Sequence, residues 1–151
     1  NANNNFGYLM PHLAIDHRIL KNGALVLATN IRGEAILGQN FEFYHAAVLG
    51  GNNGLRGFRN ERFSGKYAFN QNTDLRMLLG SFKTSIIPLQ YGVSASFDYG
   101  RVWLANNTSN TWHQSAGGVI WLSGLGAFTA NVGYFGSVDG GRVVFAMGFL
   151  F

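Results

Sequence analysis

The sequence has no cysteine, two prolines among 151 residues, and only 12% charged residues, about half the usual quarter. Without cysteine there is no disulfide, no thiolate metal ligand and no thiol nucleophile. No apolar run approaches the roughly 18 residues that a membrane-spanning helix needs. The opening stretch, NANNNFGYLM, has no basic region followed by an apolar block, so no signal peptide is expected in this chain. Basic residues outnumber acidic ones, 11 to 7, but they are scattered, so no nucleic-acid footprint is expected. His12, His17, His45 and His113 have neither metal spacing nor a carboxylate cluster beside them, and read as isolated strand or loop histidines. No serine sits in a GxSxG elbow. A lipid-acting enzyme would need a Ser or His–acid cluster at one rim, drawing on His113 or His45, and none is legible. The chain therefore reads as non-enzymatic, with no catalytic group, no metal and no cofactor.

What is present is aromatic and glycine-rich: 15% aromatic, with 13 Phe and 21 Gly. Apolar residues alternate with polar ones at period two, the mark of strands. In Gln90–Trp103, Tyr91, Val93, Ala95, Phe97 and Tyr99 oppose Gln90, Gly92, Ser94, Ser96, Asp98 and Gly100. Leu9, Leu13, Ile15 and Ile19 oppose His12, Asp16 and Arg18. Leu25, Leu27, Ile31 and Leu37 oppose Asn30, Arg32 and Glu34. Phe69, Leu75, Met77 and Leu79 oppose Asn70, Asn72, Asp74 and Arg76. Phe128, Ala130, Val132 and Tyr134 face away from Thr129, Asn131 and Gly133. In the last run, Val143, Phe145, Met147, Phe149 and Phe151 oppose Arg142, Val144, Ala146, Gly148 and Leu150. His113–Gly124 is a strand of ambiguous facing, because Val119–Leu122 is apolar on both sides. Turn signals at Lys21-Asn22-Gly23, Ser85–Pro88, Gly124–Gly126 and Asp139-Gly140-Gly141 separate the runs. The pattern predicts one all-β domain over residues 1–151, with seven strands and Phe41–Leu49 as an eighth or as the start of a long loop.

Two antiparallel architectures share such a pattern. In a soluble sandwich or barrel the apolar face points inward; in a transmembrane barrel it points to lipid and the polar face lines the lumen. The polar faces here carry opposite charges within single strands: Asp16 with Arg18, Arg32 with Glu34, Asp74 with Arg76. Several runs reach the length of a tilted membrane-spanning strand. Tyr99, Trp103, Tyr134 and Phe135 lie toward strand ends, where interfacial girdles sit. These features favour a transmembrane antiparallel β-barrel.

One segment breaks the alternation. GGNNGLRGFRNERFSG, Gly50 to Gly65, holds Arg56, Arg59 and Arg62 against a single acid, Glu61. It lacks the GK[ST] ending of a phosphate-binding loop and opens no helix. Two readings stand: a solvated loop with ordinary charges, or a loop that folds back so that Arg56 presents its fork to an inward carboxylate, Asp74 or Asp98. Asp74 and Asp98 could also form an acid–base pair, but inward carboxylates of a barrel more often meet arginines. Asn106-Asn107-Thr108 matches a glycosylation sequon and carries little weight.

At this point the residues resemble a known family. LGGNNGLRGF, Leu49–Phe58, is similar to the GG-x-x-x-[VL]-R-G-[FY] loop motif of the BamA and TamA type of outer-membrane assembly factors. That superfamily also includes the two-partner secretion transporters and the barrels fused to patatin or metallophosphoesterase domains. Arg62-Phe63-x-Gly65 and Asn72-x-Asp74-Leu75-Arg76 resemble the R-F-x-G and N-x-E-L-R pattern that follows. FDYGRVW, Phe97–Trp103, resembles the F-x-D-x-G-x-V-W strand motif, although here Phe directly precedes Asp. Ser115-Ala116-Gly117-Gly118 resembles an S-x-G strand start, and the terminal Phe151, with Phe149 and Phe145 before it, fits a C-terminal recognition strand. The resemblance covers about two thirds of the chain.

The resemblance implies a barrel of about sixteen strands whose sixth extracellular loop is tucked into the lumen. There the arginine of the loop, Arg56 followed by Gly57 and Phe58, meets the aspartate of the strand motif, Asp98. Asp74 stands where the family has Glu. It also implies a bacterial outer-membrane location and a role in inserting or translocating proteins, or in anchoring a fused or partner domain, with unfolded β-barrel proteins as clients. The chain carries the counterpart of only the last seven or eight strands and of no periplasmic domain. A barrel of about eight strands has an interior just wide enough for side chains and leaves no room for such a loop. The expectation is therefore a wider ring, completed by further strands of the same polypeptide or by a second copy. The alternative is a free-standing small outer-membrane barrel with a structural, adhesive or narrow-pore role. Membrane lipid is the expected surrounding in either case, and nucleic acid is not expected as a partner.

Overall fold

A computed structural model describes residues 7–38, 46–84, 87–104, 111–124 and 128–149. The described chain is all β: β1 (Gly7–Leu9), β2 (His12–Arg18), β3 (Leu25–Leu37), β4 (Ala47–Leu49), β5 (Phe63–Gly65), β6 (Tyr67–Lys83), β7 (Pro88–Trp103), β8 (His113–Gly124), β9 (Phe128–Ser137) and β10 (Gly140–Phe149). One antiparallel sheet runs β1-β3-β6-β7-β8-β9-β10, with β2 also on β3, and β4 and β5 form a separate two-stranded sheet. Strands β1 and β2 share one register on β3, Leu9 opposite Ala35 and His12 opposite Arg32. They are one strand interrupted at Pro11, which has no N–H to give the ladder. The sheet thus has the seven rungs that the alternation predicts. Among the described residues, β1/β2 and β10 each pair on one side only.

Of the two alternatives for Phe41–Leu49, an eighth strand of the sheet or the start of the long loop, the described residues fit the second. The described part, Ala47–Leu49, pairs with Phe63–Gly65 as the stem of the long loop; residues 39–45, with His45, lie outside the described residues, as do Asn106–Thr108 and Phe151. The rest of the alternation holds in detail. Leu13, Ile15, Met77, Leu79, Phe97, Val143 and Met147 are exposed, whereas Asn70, Ser94, Ser96, Asp98 and Ser115 are buried. The facing of β8 is settled by Ser115, whose hydroxyl meets Asp98 on the polar side, so Val119 and Trp121 point inward and Ile120, 63% exposed, points out. One aromatic moves: Phe135 is fully buried on the inward face and belongs to no girdle, while its neighbour Tyr134 is exposed.

The buried apolar residues are few and gather where the loop meets the sheet. Ile36, Ala47 and Ala68 form one cluster with Val102 against it; Leu49, Leu55 and Phe58 form another, flanked by Phe63 and Val102. No described element covers the outward apolar face. This inverts the arrangement of a sandwich, where apolar faces meet between sheets.

Candidate loop-docking site

The segment between β4 and β5 lies on the inward face of the sheet. Its stem is the three-residue β4–β5 pairing. Beyond it the backbone folds on itself: Gly51 N–H donates to the carbonyl of Leu55 at 2.7 Å, and Phe58 N–H to the same carbonyl at 3.1 Å. Gly54 makes this possible. Its φ is +103°, a conformation side chains avoid, and a Cβ there would sit 2.5 Å from Asn70 Cγ. Leu55 and Phe58 are buried beside it, so the turn is held by apolar packing on both sides of Arg56.

Arg56 meets Asp98 with three of its groups. Its backbone N–H donates to Oδ2 at 2.9 Å, Nε–H lies 3.0 Å from Oδ1 and 3.1 Å from Oδ2, and Nη2–H donates to Oδ1 at 2.6 Å. Nη2 also donates to Asp74 Oδ1 at 2.7 Å. Asp98 is fully buried, and its remaining capacity is filled by Asn72 Nδ2 at 2.7 Å and Ser115 Oγ at 3.0 Å. Asn72 also donates to the carbonyl of Gly54. The guanidinium rests over the face of Phe135, 4.6 Å from its centroid, a cation–π contact. Burial disfavours the charged guanidinium, but the hydrogen bonds and charges of Asp98 and Asp74 outweigh it, and the pKa of Arg56 lies above its ordinary value. The arginine is a permanent cation locked between two carboxylates.

The register places these partners. Asp74 is opposite Ser96 and Asn72 opposite Asp98 across β6–β7, and Asp98 is opposite Ser115 across β7–β8. Residues two apart in a strand share a face, and directly opposed residues share it too. Three strands therefore bring five polar side chains to one patch of wall. Strands β8, β9 and β10 continue the grip. Gly57 N–H donates to Ser115 Oγ at 3.2 Å, and Ser137 Oγ–H to the carbonyl of Gly57 at 2.8 Å. Arg142 donates from Nη1 to the carbonyl of Phe58 at 2.5 Å and from Nη2 to Asn60 Oδ1 at 3.0 Å. Phe63 stacks on His113 at 3.7 Å.

No protein-family model, curated protein or solved structure matches this chain.

Of the expected site residues, Arg56, Gly57, Phe58, Asp98 and Asp74 come together as one unit. Phe145 is on the outward face, 69% exposed, and Phe149 ends β10, both away from the loop. Sequence reasoning left Asn72, Ser115, Ser137 and Arg142 without roles and placed Phe135 in a girdle. The alternation already put Asn72 and Arg142 on the polar face, and counting on from Asp98 to its cross-strand neighbours would have found Ser115. Arg62, also unassigned, pairs with Asp139 at 2.8 Å, with 48% and 34% of the side chains exposed. An exposed pair of this kind contributes well under about 1 kcal/mol. Asp139→Asn is accordingly expected to shift the urea unfolding midpoint only slightly and to have still less effect at high salt. Asp98 is surrounded by donors from Arg56, Asn72 and Ser115, and Asp74 by Arg56 and Arg76; no group of three or more metal-ligating side chains forms among the described residues. The arrangement of the two carboxylates suits holding a loop in place.

Proposed function

We propose that this chain is the C-terminal part of an outer-membrane β-barrel of the assembly and translocation superfamily, serving to insert or pass proteins across the membrane or to anchor a partner domain. The observation that carries the reading is the docked loop: an arginine of an R-G-F sequence locked onto a fully buried aspartate of the wall, the contact the resemblance implies. The outward apolar face supports a lipid surrounding, because a soluble sheet would hide it. The two one-sided edge strands support completion of the ring by further strands or a second copy. In lipid an open edge would leave backbone groups unsatisfied, at several kcal/mol each.

The test is reconstitution of the full chain in phosphatidylcholine vesicles, with its assembled mass measured and an unfolded outer-membrane barrel added as client. The expected result is an assembly larger than one chain that speeds the client's acquisition of protease resistance. Arg56→Ala should abolish that gain. A closed single-chain ring with the loop outside, or an intact assembly that leaves the client's rate unchanged, would overturn the assembly-factor reading.

A further inference from the structure

Of the three tryptophans, two are taken up in ring contacts. Trp103 and Trp112 meet edge to face, and Trp112 stacks on Tyr99. Trp121 instead points to the inward, polar side of β8 and has no ring partner among the described residues. A large apolar ring set in a polar wall calls for a reason. The register fixes what surrounds it. Trp121 is opposite Gly92 on β7 and Asn131 on β9. The indole lies over Gly92, where a Cβ would collide with its ring atoms Cζ2 and Cε2. Two residues along β7, Gln90 is opposite Ser123, which is opposite Thr129. Two residues the other way, Ser94 is opposite Arg76. Residues two apart in a strand share a face, so carboxamides, hydroxyls and one guanidinium ring the indole.

These side chains line a cavity of about 340 Å³ that extends to Phe135 and to Arg56 of the docked loop, a volume within the range of small-molecule sites. The charges around it cancel. Arg56 is held by Asp74 and Asp98, and Arg76 shares Asp74 at 3.5 Å. A charged ligand therefore gains little, and a neutral one with its own donors and acceptors gains most. Gln90 and Asn131 make no hydrogen bond among the described residues, and each carboxamide can both donate and accept. The indole face is electron-rich and attracts the positive C–H groups of a ring laid on it. A flat aromatic ligand would want apolar surface against both of its faces. A pyranose has one C–H face and a rim of hydroxyls, which matches one indole set among amides.

We propose that the inward face of β6–β9 binds a neutral saccharide, with one pyranose ring lying on Trp121 and its hydroxyls paired to Gln90 and Asn131. Arg76 borders the same cavity and has N–H groups to spare beyond its contact with Asp74. The site is built from the inward wall alone. It goes beyond the assembly reading and does not depend on it.

The experiment titrates the full chain, in a zwitterionic detergent without sugar groups, with cellobiose, whose rings present flat C–H faces. Inorganic phosphate and phenylalaninamide are titrated separately, and calorimetry reads the binding of each. The wild type should bind cellobiose and neither of the others. Trp121→Ala should weaken cellobiose binding about ten-fold, and Trp121→Phe should keep most of the affinity. Gln90→Ala and Asn131→Ala should each weaken it about five-fold. Trp103→Phe, on the other face of β7 by alternation, should change nothing. Wild-type protection of Arg59 from trypsin shows in each case that the loop is docked and the wall intact. Absence of cellobiose binding by a wild type with its loop protected overturns the site, as does undiminished binding by Trp121→Ala. Binding of phosphate or phenylalaninamide in place of cellobiose overturns the saccharide as its ligand. The client-folding result expected above is measured separately and stands or falls by itself.

Discussion

Asp98→Ala is expected to destabilise the docked loop by about 4 kcal/mol, the scale for removing one partner of a buried, hydrogen-bonded charge pair. Asp98 is fully buried and accepts from Arg56, Asn72 and Ser115 together. Its loss leaves the Arg56 backbone N–H and the Ser115 hydroxyl without their acceptor. Arg56→Ala should cost less, about 3 kcal/mol, because the Asp98 carboxylate keeps the residue 56 backbone N–H, Asn72 and Ser115 as donors. The double substitution should cost little more than Asp98→Ala alone, a coupling of about 3 kcal/mol between residues acting as one unit. Arg56→Lys should recover little, since an ammonium cannot reproduce the fork that spans Asp98 and Asp74. Urea unfolding in vesicles, with trypsin cleavage at Arg59 as a readout of loop release, measures all four. Strictly additive losses would mean that the loop is held by something other than this pair.

Gly57→Ala should release the loop almost as effectively, at about 3 kcal/mol, although it removes no hydrogen-bonding group. A Cβ at Gly57 would lie 2.6 Å from Ser115 Cβ and 3.0 Å from the carbonyl oxygen of Gly136. Both neighbours belong to ladder strands, β8 and β9, and cannot retreat without breaking the Ala116–Gly136 pairing. The loop must lift instead, and its lifting separates Arg56 from Asp98 as well. Gly148→Ala is the control: no atom lies within 4 Å of the added carbon, and the change should stay within about 0.5 kcal/mol. The same trypsin assay should show rapid cleavage in Gly57→Ala and wild-type protection in Gly148→Ala. Protection in both would contradict the close approach of loop and wall.

The strands and their facing were legible because period-two alternation needs only the identities of neighbours. That is why the inward side of β7, Ser94, Ser96 and Asp98, could be read directly. Where both faces are apolar, as at Val119–Leu122, the alternation is silent, and only the cross-strand meeting of Ser115 with Asp98 decides. Phe135 was misplaced for a related reason: an aromatic near a strand end looks like a girdle residue unless one knows that a guanidinium lies over it. The contact of Arg56 with Asp98 was one of two open readings from pattern and was singled out only by the resemblance. The contacts of Ser137 and Arg142 were not legible, since they depend on how far the sheet curls around the loop, which no local sequence signal encodes. Phe41–Leu49 stayed open between an eighth strand and the start of the loop because three apolar residues, Ala47–Leu49, suffice for a strand without telling which sheet it joins.

Pro11 has a consequence for how this sheet could grow. Gly33 N–H donates to the carbonyl of Pro11, and Ile19 N–H to that of Leu25, so odd-numbered residues of the edge strand turn their backbone groups toward β3. In an antiparallel strand the even-numbered ones then turn the other way, which directs Met10, His12, Ala14, Asp16 and Arg18 to the rim. Edge prolines usually blunt a rim by removing a donor from it. Here the missing donor is on the inner side, so the interruption weakens the chain's own ladder and leaves the outer one continuous. The outer rim of Met10–Arg18 therefore keeps an unbroken alternation of backbone donors and acceptors, spaced as an antiparallel neighbour would need them.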